Sequence, residues 1–236
     1  MAKMTPRTLS GFMELLPAPQ VQMERIMQVL RETYALYGFY PLDTPLIESS
    51  EVLLAKGGGE TEKQMYRFTK VDSDLALRFD LTVPLAKYVA QHYGELTFPF
   101  RRFQIGKVYR GEVGDPADLP QVTQSEGRVV DGGIAVGDLK GTLDYLCKQM
   151  FGEERKTRFR AHYFPFTAPP AEVDVSCGIC HGEGCRFCKG TGWLEILGCG
   201  KVAPNVLSVS GLHPEKSSHF AIGLGGERTA CLNCTV

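Results

Sequence analysis

The sequence lacks the features of exported, membrane-spanning and strongly nucleic-acid-binding proteins. No apolar run approaches the length that crosses a bilayer, and the N-terminus has no signal-peptide core. An excess of charge of one sign is also missing, because 26 basic residues face 27 acidic ones, for a formal net charge of −1. The composition therefore gives no sign of a membrane partner or of a general attraction to nucleic acid. We expect a cytoplasmic protein.

The composition is that of a soluble globular protein. Its 236 residues are 43% hydrophobic and 22% charged, which suits one large domain or one domain with a small insert. Apolar residues at three- and four-residue steps predict a helix over residues 19–36. In the second half of the chain, several short strands follow one another with few helices between them. This order predicts an α+β fold, an antiparallel β-sheet flanked by helices, over residues 1–236.

Four of the eight cysteines lie within twelve residues, in a tandem CxxCxGxG repeat. Without an export signal, this spacing favours thiolates on a metal over disulfides. Four sulfur atoms fill a tetrahedral site, so a structural zinc ion is favoured over a catalytic one, and an iron–sulfur cluster is the alternative. We expect a zinc-knuckle insert over residues 176–193. Its expected ligands are Cys177, Cys180, Cys185 and Cys188.

The stretch FPFRRFQIGKVYRGE, residues 98–112, alternates apolar and polar side chains and predicts a β-strand. It ends in Arg110 and Glu112, which an extended strand would place on the same face, about 7 Å apart. A guanidinium can bind a phosphate while the carboxylate accepts from an amine. The alternative is an ordinary solvated ion pair.

Asp80 is predicted to lie at the end of a strand, just before a helix that has Thr82 as its N-cap and Pro84 in its first turn. A carboxylate at that place could hold a substrate ammonium group. It could equally assist the helix cap, and the residues alone leave both readings open.

Three stretches resemble the signature motifs of class II aminoacyl-tRNA synthetases: YGFYPLDTP with Pro45, the strand that ends in Arg110 and Glu112, and GLGGER. Residues 5–112 resemble bacterial histidyl-tRNA synthetase, in stretches such as PRTLSGFMELLP and LALRFDLTVPLAKYVAQHY. Residues 121–230 resemble the α subunit of phenylalanyl-tRNA synthetase, in stretches such as QSEGRVVD, YFPFTAPPAEVDV and WLEILGCGKVAPNVL. The two resemblances together suggest a chimera or a reconstructed minimal catalytic core.

The resemblance implies a sheet that binds ATP and activates an amino acid as its adenylate. Arg110 would hold the α-phosphate and Glu112 the adenine amino group. Arg228 would contact the adenine and the γ-phosphate, and Glu195 matches a carboxylate expected near a magnesium ion. Arg110 and Arg228 are thus the expected catalytic residues, and the protein supplies positioning and positive charge but no covalent nucleophile.

The two resemblances differ on the amino acid. The first implies histidine and the second phenylalanine, and we favour phenylalanine because two phenylalanine side chains suit a phenyl ring and offer no hydrogen bond to an imidazole. The implied amino-acid-binding residues are Asp80 and Thr82 from the histidyl family, and Gln124, Glu126, Phe164, Phe166 and Ala221 from the phenylalanyl family.

Departures from both families weaken the expected activity toward ATP and tRNA. Val122 stands where an aromatic residue stacks on adenine, the chain ends soon after Arg228, and no anticodon-binding domain follows. We therefore expect tRNA charging to be weak or absent. Because the segment around Pro45 forms dimers in this class, we expect a homodimer.

An alternative function is that of a non-catalytic paralogue, a regulatory subunit that binds an amino acid or a nucleotide. The residues expected to bind ATP and magnesium favour an enzyme, because a regulator has no need to keep them. These residues are Arg110, Glu112, Glu195 and Arg228.

Overall fold

A computed structural model describes residues 5–54, 59–111, 119–131, 136–161, 167–202 and 218–233. Glu112, Phe164 and Phe166 lie outside the described residues, as does the side chain of Arg228. None of the helices in the described ranges combines the length and the apolar character needed to cross a membrane.

A seven-stranded sheet forms the centre of the molecule. Each neighbouring pair in it is antiparallel, except for the parallel pair at one edge. The expected α+β architecture with an antiparallel sheet is thus confirmed. In spatial order the strands are β1 (Tyr40–Pro41), β5 (Phe100–Tyr109), β6 (Gln121–Asp131), β10 (Ser218–Gly225), β9 (Trp193–Val202), β8 (Thr167–Ser176) and β7 (Thr157–Ala161).

A smaller sheet of three strands was not predicted from the sequence. It contains β2 (Ile47–Ser49), β4 (Ser73–Leu77) and β3 (Arg67–Lys70) in that order. The helices are α1 (Pro17–Leu36), α2 (Ser50–Leu54), α3 (Gly59–Gln64), α4 (Thr82–His92), α5 (Val136–Phe151) and α6 (Gly226–Asn233).

Helices α1 and α5 cover one face of the large sheet. The predicted apolar stripe of α1 is confirmed, because Met23, Ile26, Leu30 and Tyr34 are all buried in the main core. The ring of Tyr34 stacks on that of Phe103 in β5, with 4.7 Å between the ring centroids. Burial of this stripe fixes the helix against the sheet.

Helix α4 lies on the opposite face. Val89 packs there with Phe100, Val130 and Val202 in a second apolar cluster. The prediction of Thr82 as the N-cap is wrong, because Thr82 is the first helical residue and its hydroxyl donates to Glu126 instead. The first residue of the helix is therefore joined to strand β6 by its side chain.

The predicted strand over residues 98–112 is longer than the observed one. Strand β5 ends at Tyr109, and Arg110 lies just beyond it. The Arg110 N–H donates to Pro120 O at 2.9 Å, next to the start of β6, and the Gly111 N–H donates to Gln64 O at the end of α3, 2.6 Å away.

Candidate active site

A buried polar cluster joins the first turn of α4 to strand β6. The Thr82 hydroxyl donates to Glu126 Oε2 at 2.8 Å, and Gln124 Nε2 lies 3.4 Å from the same oxygen. Asp80 is also buried, and its Oδ1 accepts from the Val83 N–H at 3.1 Å. Four of the residues predicted to bind the amino acid are thus brought together, two from each half of the chain.

Asp80 assists the start of α4, which was one of the two roles that the sequence left open for it. That contact uses one carboxylate oxygen, so it does not prevent the group from binding a cation as well. The Gln124 Oε1 atom is buried too, and no donor among the described residues reaches it. A buried acceptor beside a carboxylate suits a ligand that carries several N–H groups.

Arg128 completes the cluster and was missed from the sequence. Its side chain has 0% exposure, and its Nη1 donates to Thr82 O at 3.2 Å. Burial lowers the pKa of Arg128 to about 10, although the charges of Glu126 and Asp80 oppose the shift. The guanidinium is therefore still cationic at neutral pH. A signal was present in the sequence of β6, because Gln124, Glu126 and Arg128 are spaced two residues apart and therefore lie on the same face of the strand.

Small residues form the floor beside this cluster. Ala221 pairs with Arg128 across the sheet, and Gly223 pairs with Glu126. On the next strand, Gly200 and Gly198 pair with Ala221 and Gly223. Paired residues share a face of an antiparallel sheet, so these four positions leave a flat surface on which a planar group can lie.

Arg110 lies close to the cluster. Its Nε donates to Phe79 O at 3.1 Å, and Phe79 precedes Asp80 in the chain. The side chain is half-buried, and its other guanidinium nitrogens can still donate to an anion.

Glu227 anchors the helix that carries Arg228, and its role was not predicted either. Its two carboxylate oxygens lie 2.8 and 2.7 Å from the Thr123 N atom, and one of them accepts from the Thr123 hydroxyl at 2.8 Å. Lys107 Nζ lies 3.3 Å from the same carboxylate. These contacts fix the start of α6 against β6. A signal was present in GLGGER, because a carboxylate is favoured in the first turn of a helix.

A charged group occupies the outer strands of the same sheet face. Asp174 pairs with Glu195 across β8 and β9, and its carboxylate accepts from Arg158 Nε at 2.8 Å and from Arg160 Nε at 3.2 Å. Arg160 also bonds Glu172. Burial acts to raise the pKa of Asp174, but the hydrogen bonds from the two arginines outweigh it and lower that pKa. Among the described residues, the group contains the carboxylates of Glu172, Asp174 and Glu195, and carboxylate oxygens are the ligands that divalent cations use.

The four expected cysteine ligands converge at one point between β8 and β9. Their Sγ atoms all lie within 4.8 Å of one another. The Cys177–Cys185 and Cys180–Cys188 pairs each have sulfur atoms 3.8 Å apart. A tetrahedral zinc ion with its usual bond lengths would hold sulfur atoms about 3.8 Å apart. The set therefore fits a single ion better than a cluster, which spreads its thiolates around several iron atoms.

The glycines of the repeat orient backbone amides toward the sulfur atoms. Gly184 N–H donates to Cys180 Sγ and Gly192 N–H to Cys188 Sγ, both at 3.2 Å. Both glycines have a positive φ, of 101° and 76°, which a residue with a side chain would rarely adopt. The two halves of the repeat therefore fold alike, as their sequences indicate.

Comparison with known sequences identifies one family and its relatives. The family model described as "tRNA synthetases class II core domain (F)" matches residues 17–236. The phenylalanine–tRNA ligase alpha subunit of Lachnoclostridium phytofermentans is 51% identical over 162 residues, 69% of this chain and 47% of that protein. The subunit of the same name from Moorella thermoacetica is 42% identical over 222 residues, 92% of this chain and 64% of that protein.

These matches bear on the extent and origin of the chain. It spans about half to two thirds of the length of these relatives. The family match runs through Glu112 into both halves, so it gives no support to the suggested chimera.

Two solved structures have the same fold. The histidyl-tRNA synthetase of S. aureus superposes with a TM-score of 0.76 at 13% identity, over 98% of this chain and 72% of that one. The pyrrolysyl-tRNA synthetase of Desulfitobacterium hafniense gives 0.68 at 17% identity, over 91% of this chain and 70% of that one.

Proposed function

Because this chain belongs to the family of class II tRNA synthetase core domains, we propose that it is a ligase that activates an amino acid with ATP. The products are an aminoacyl adenylate and pyrophosphate. The observation that carries this proposal is the buried polar cluster, in which Thr82 joins Glu126 beside Asp80 and Gln124. Buried acceptors of this kind suit the ammonium group of an amino acid, and Arg110 lies close by for a phosphate.

The reaction is an in-line displacement at the α-phosphorus of ATP. The carboxylate of the amino acid attacks, the new C–O–P bond forms, and pyrophosphate leaves with the electron pair of the broken P–O bond. Arg110 holds the α-phosphate and Arg228 the γ-phosphate, while Glu112 accepts from the adenine amino group. Preorganised positive charge stabilises the developing oxyanions. Glu195 with its neighbour Asp174 would hold a magnesium ion, which offsets charge on the pyrophosphate.

Phenylalanine is the proposed amino acid. The relatives from both organisms are named phenylalanine–tRNA ligase alpha subunits, which supports it over histidine. In this proposal Asp80, Thr82, Gln124 and Glu126 hold the ammonium group, and Ala221 forms the pocket floor. Phe164 and Phe166 would form its walls.

A structural zinc ion is proposed at Cys177, Cys180, Cys185 and Cys188, within an insert over residues 176–193 of a single catalytic domain. The separations between the sulfur atoms support one tetrahedral ion. With four protein ligands the ion has no position for a substrate, so its contribution is to the fold of the insert.

The assembly of the protein remains a proposal as well. The relatives are called alpha subunits, which supports a partner chain of a second kind. A homodimer through the segment around Pro45, as expected from the sequence, has no such support and stays a prediction.

Amino-acid-dependent ATP–pyrophosphate exchange tests the proposed function. We expect exchange with phenylalanine and not with the other nineteen amino acids, and its loss in Arg110→Ala. Exchange with histidine alone would overturn the assignment of the amino acid. Folded protein that binds ATP but exchanges with none of the twenty would overturn the enzyme and favour the regulatory paralogue.

A further inference from the structure

Arg128 is a buried cation next to two buried carboxylates. Glu126 precedes it by two residues on the same strand face, and Arg128 Nη1 donates to Thr82 O, two residues after Asp80 in the chain. Glu126 is 1% exposed and Asp80 5%. Burying two carboxylates side by side is unfavourable unless a cation stands beside them, because each disfavours the charge of the other.

We propose that Arg128 is a positioning residue for the amino acid: its guanidinium offsets the charge of Asp80 and Glu126 and holds them in place, so that both can bind the substrate ammonium group. This inference rests on the proposed activation of an amino acid and adds the residue that prepares the site. Arg128 itself is fully buried and does not contact the substrate.

Thr82 transmits the position of Arg128 to the carboxylate. Its backbone oxygen accepts from Arg128 Nη1 at 3.2 Å, and its hydroxyl donates to Glu126 Oε2 at 2.8 Å. One residue of α4 is therefore fixed by the cation on β6 and in turn orients the neighbouring anion on β6. Loss of Arg128 would release the backbone oxygen of Thr82 and leave its hydroxyl less firmly placed against Glu126.

The cluster also offers several acceptors to one substrate group. An ammonium group supplies a positive charge and three N–H donors. The acceptors are the two carboxylates and Gln124 Oε1, which no described donor reaches. Without Arg128, the two neighbouring carboxylates would lose the positive charge beside them and repel each other, which would disturb their positions around the ammonium group.

Two substitutions separate the charge of Arg128 from its hydrogen bond. Arg128→Gln keeps a donor for Thr82 O but loses the charge, whereas Arg128→Lys keeps the charge. In pyrophosphate exchange we expect Arg128→Gln to raise the KM for phenylalanine about tenfold or more. We expect Arg128→Lys to raise it about threefold and the KM for ATP to stay unchanged in both.

Inhibition by 3-phenylpropionate, which has the ring and carboxylate of phenylalanine but no ammonium group, gives a second readout. Its inhibition constant should be unchanged in Arg128→Gln. The preference for phenylalanine over the analogue should therefore fall by the same factor by which the KM for phenylalanine rises. Arg155→Gln is the matched control, because Arg155 is also buried and its Nη1 donates to Ser176 O at 2.8 Å, outside the cluster. It should lower the melting temperature without changing this preference.

The outcomes separate this inference from the proposed function. If the wild-type protein catalyses exchange and the KM for phenylalanine is the same in wild type, Arg128→Gln and Arg128→Lys, the role of Arg128 is overturned and the proposed function is not. Equal rises in the KM for phenylalanine and for ATP would overturn it too, since they indicate a general structural effect. If Arg128→Gln does not fold, Arg128→Lys is the test. A KM for phenylalanine equal to that of wild type would then overturn the role of Arg128. A wild-type protein without exchange would overturn both.

Discussion

Glu227 can control the position of Arg228, the proposed ligand of the γ-phosphate, without touching the substrate. The carboxylate accepts from the backbone and the hydroxyl of Thr123, and so ties the first turn of α6 to β6. Arg228 is the next residue in the chain. The backbone that carries Arg228 is thus fixed to the strand that carries Gln124 and Glu126.

We expect Glu227→Ala to lower the rate of pyrophosphate exchange about tenfold or more, because loss of a buried charged acceptor costs about 2 kcal/mol and lets α6 shift. Exchange kinetics with a thermal melting curve would measure this. Lys107→Ala is the control. It removes the contact of Lys107 Nζ with Glu227 at 3.3 Å and that with the Thr123 hydroxyl at 2.6 Å, but it leaves Glu227 bonded to the Thr123 N–H, so it should have a smaller effect. Wild-type turnover in a folded Glu227→Ala protein would contradict the anchoring role.

The pH dependence of stability should include a contribution from Asp174. Its pKa is lowered in the folded state, so ionised Asp174 stabilises the fold above its unfolded pKa of about 3.9, and this stabilisation is lost as the pH falls through the lower folded value. At pH 7, Asp174→Asn should lower the free energy of unfolding by about 2 kcal/mol, and the deficit should shrink below about pH 4. Urea titrations from pH 3 to 7 measure this, with the exposed Asp72→Asn as control. A deficit independent of pH would contradict it.

The sequence could indicate some site residues but not their contacts. Asp80 and Glu126 lie in recognisable motifs, and the structure brings both into one cluster. Arg128 was not predicted as a site residue because an arginine in a strand is normally exposed. Its burial depends on α4, which lies some forty residues earlier in the chain. Thr82 was misjudged as a cap because a cap is a local pattern, whereas its actual partner is Glu126.

Among the elements, those with strong periodicity were predictable and the short ones were not. The stripe of α1 marks a helix over twenty residues, which many apolar positions support together. Strand β2 has only three residues and β4 five, too few for a period-2 pattern to be distinguished from chance. Glu112, Phe164 and Phe166 lie outside the described residues, so their expected roles remain predictions.

The fold of the cysteine insert should depend on the proposed zinc ion, whereas the fold of the large sheet should not. Cys180→Ser should lower bound zinc well below one per chain and speed amide hydrogen exchange over residues 176–193, because the insert has little apolar core of its own. ATP binding should persist. Cys147→Ala is the matched control, since Cys147 packs in the main core and its loss should leave the zinc content unchanged. Full zinc content in Cys180→Ser, or loss of ATP binding with the sheet intact, would contradict this prediction.

At the scale of the whole molecule, adenylate formation and tRNA charging place different demands on the chain. Adenylate formation needs only the sheet face and the residues around it. Transfer to tRNA also needs a surface that binds a long polyanion, and 26 basic against 27 acidic residues give no overall attraction to one. The chain spans about half to two thirds of the length of these relatives.

We therefore expect this chain alone to exchange pyrophosphate with phenylalanine but to charge tRNA at least about 100-fold more slowly, a difference that corresponds to about 3 kcal/mol of missing binding energy. Charging of phenylalanine-specific tRNA and exchange would be measured on the same preparation at several salt concentrations. Because few phosphate contacts are expected, the residual charging should depend only weakly on salt. Charging as fast as exchange, or a steep salt dependence, would show that the sheet and its insert already provide a tRNA surface.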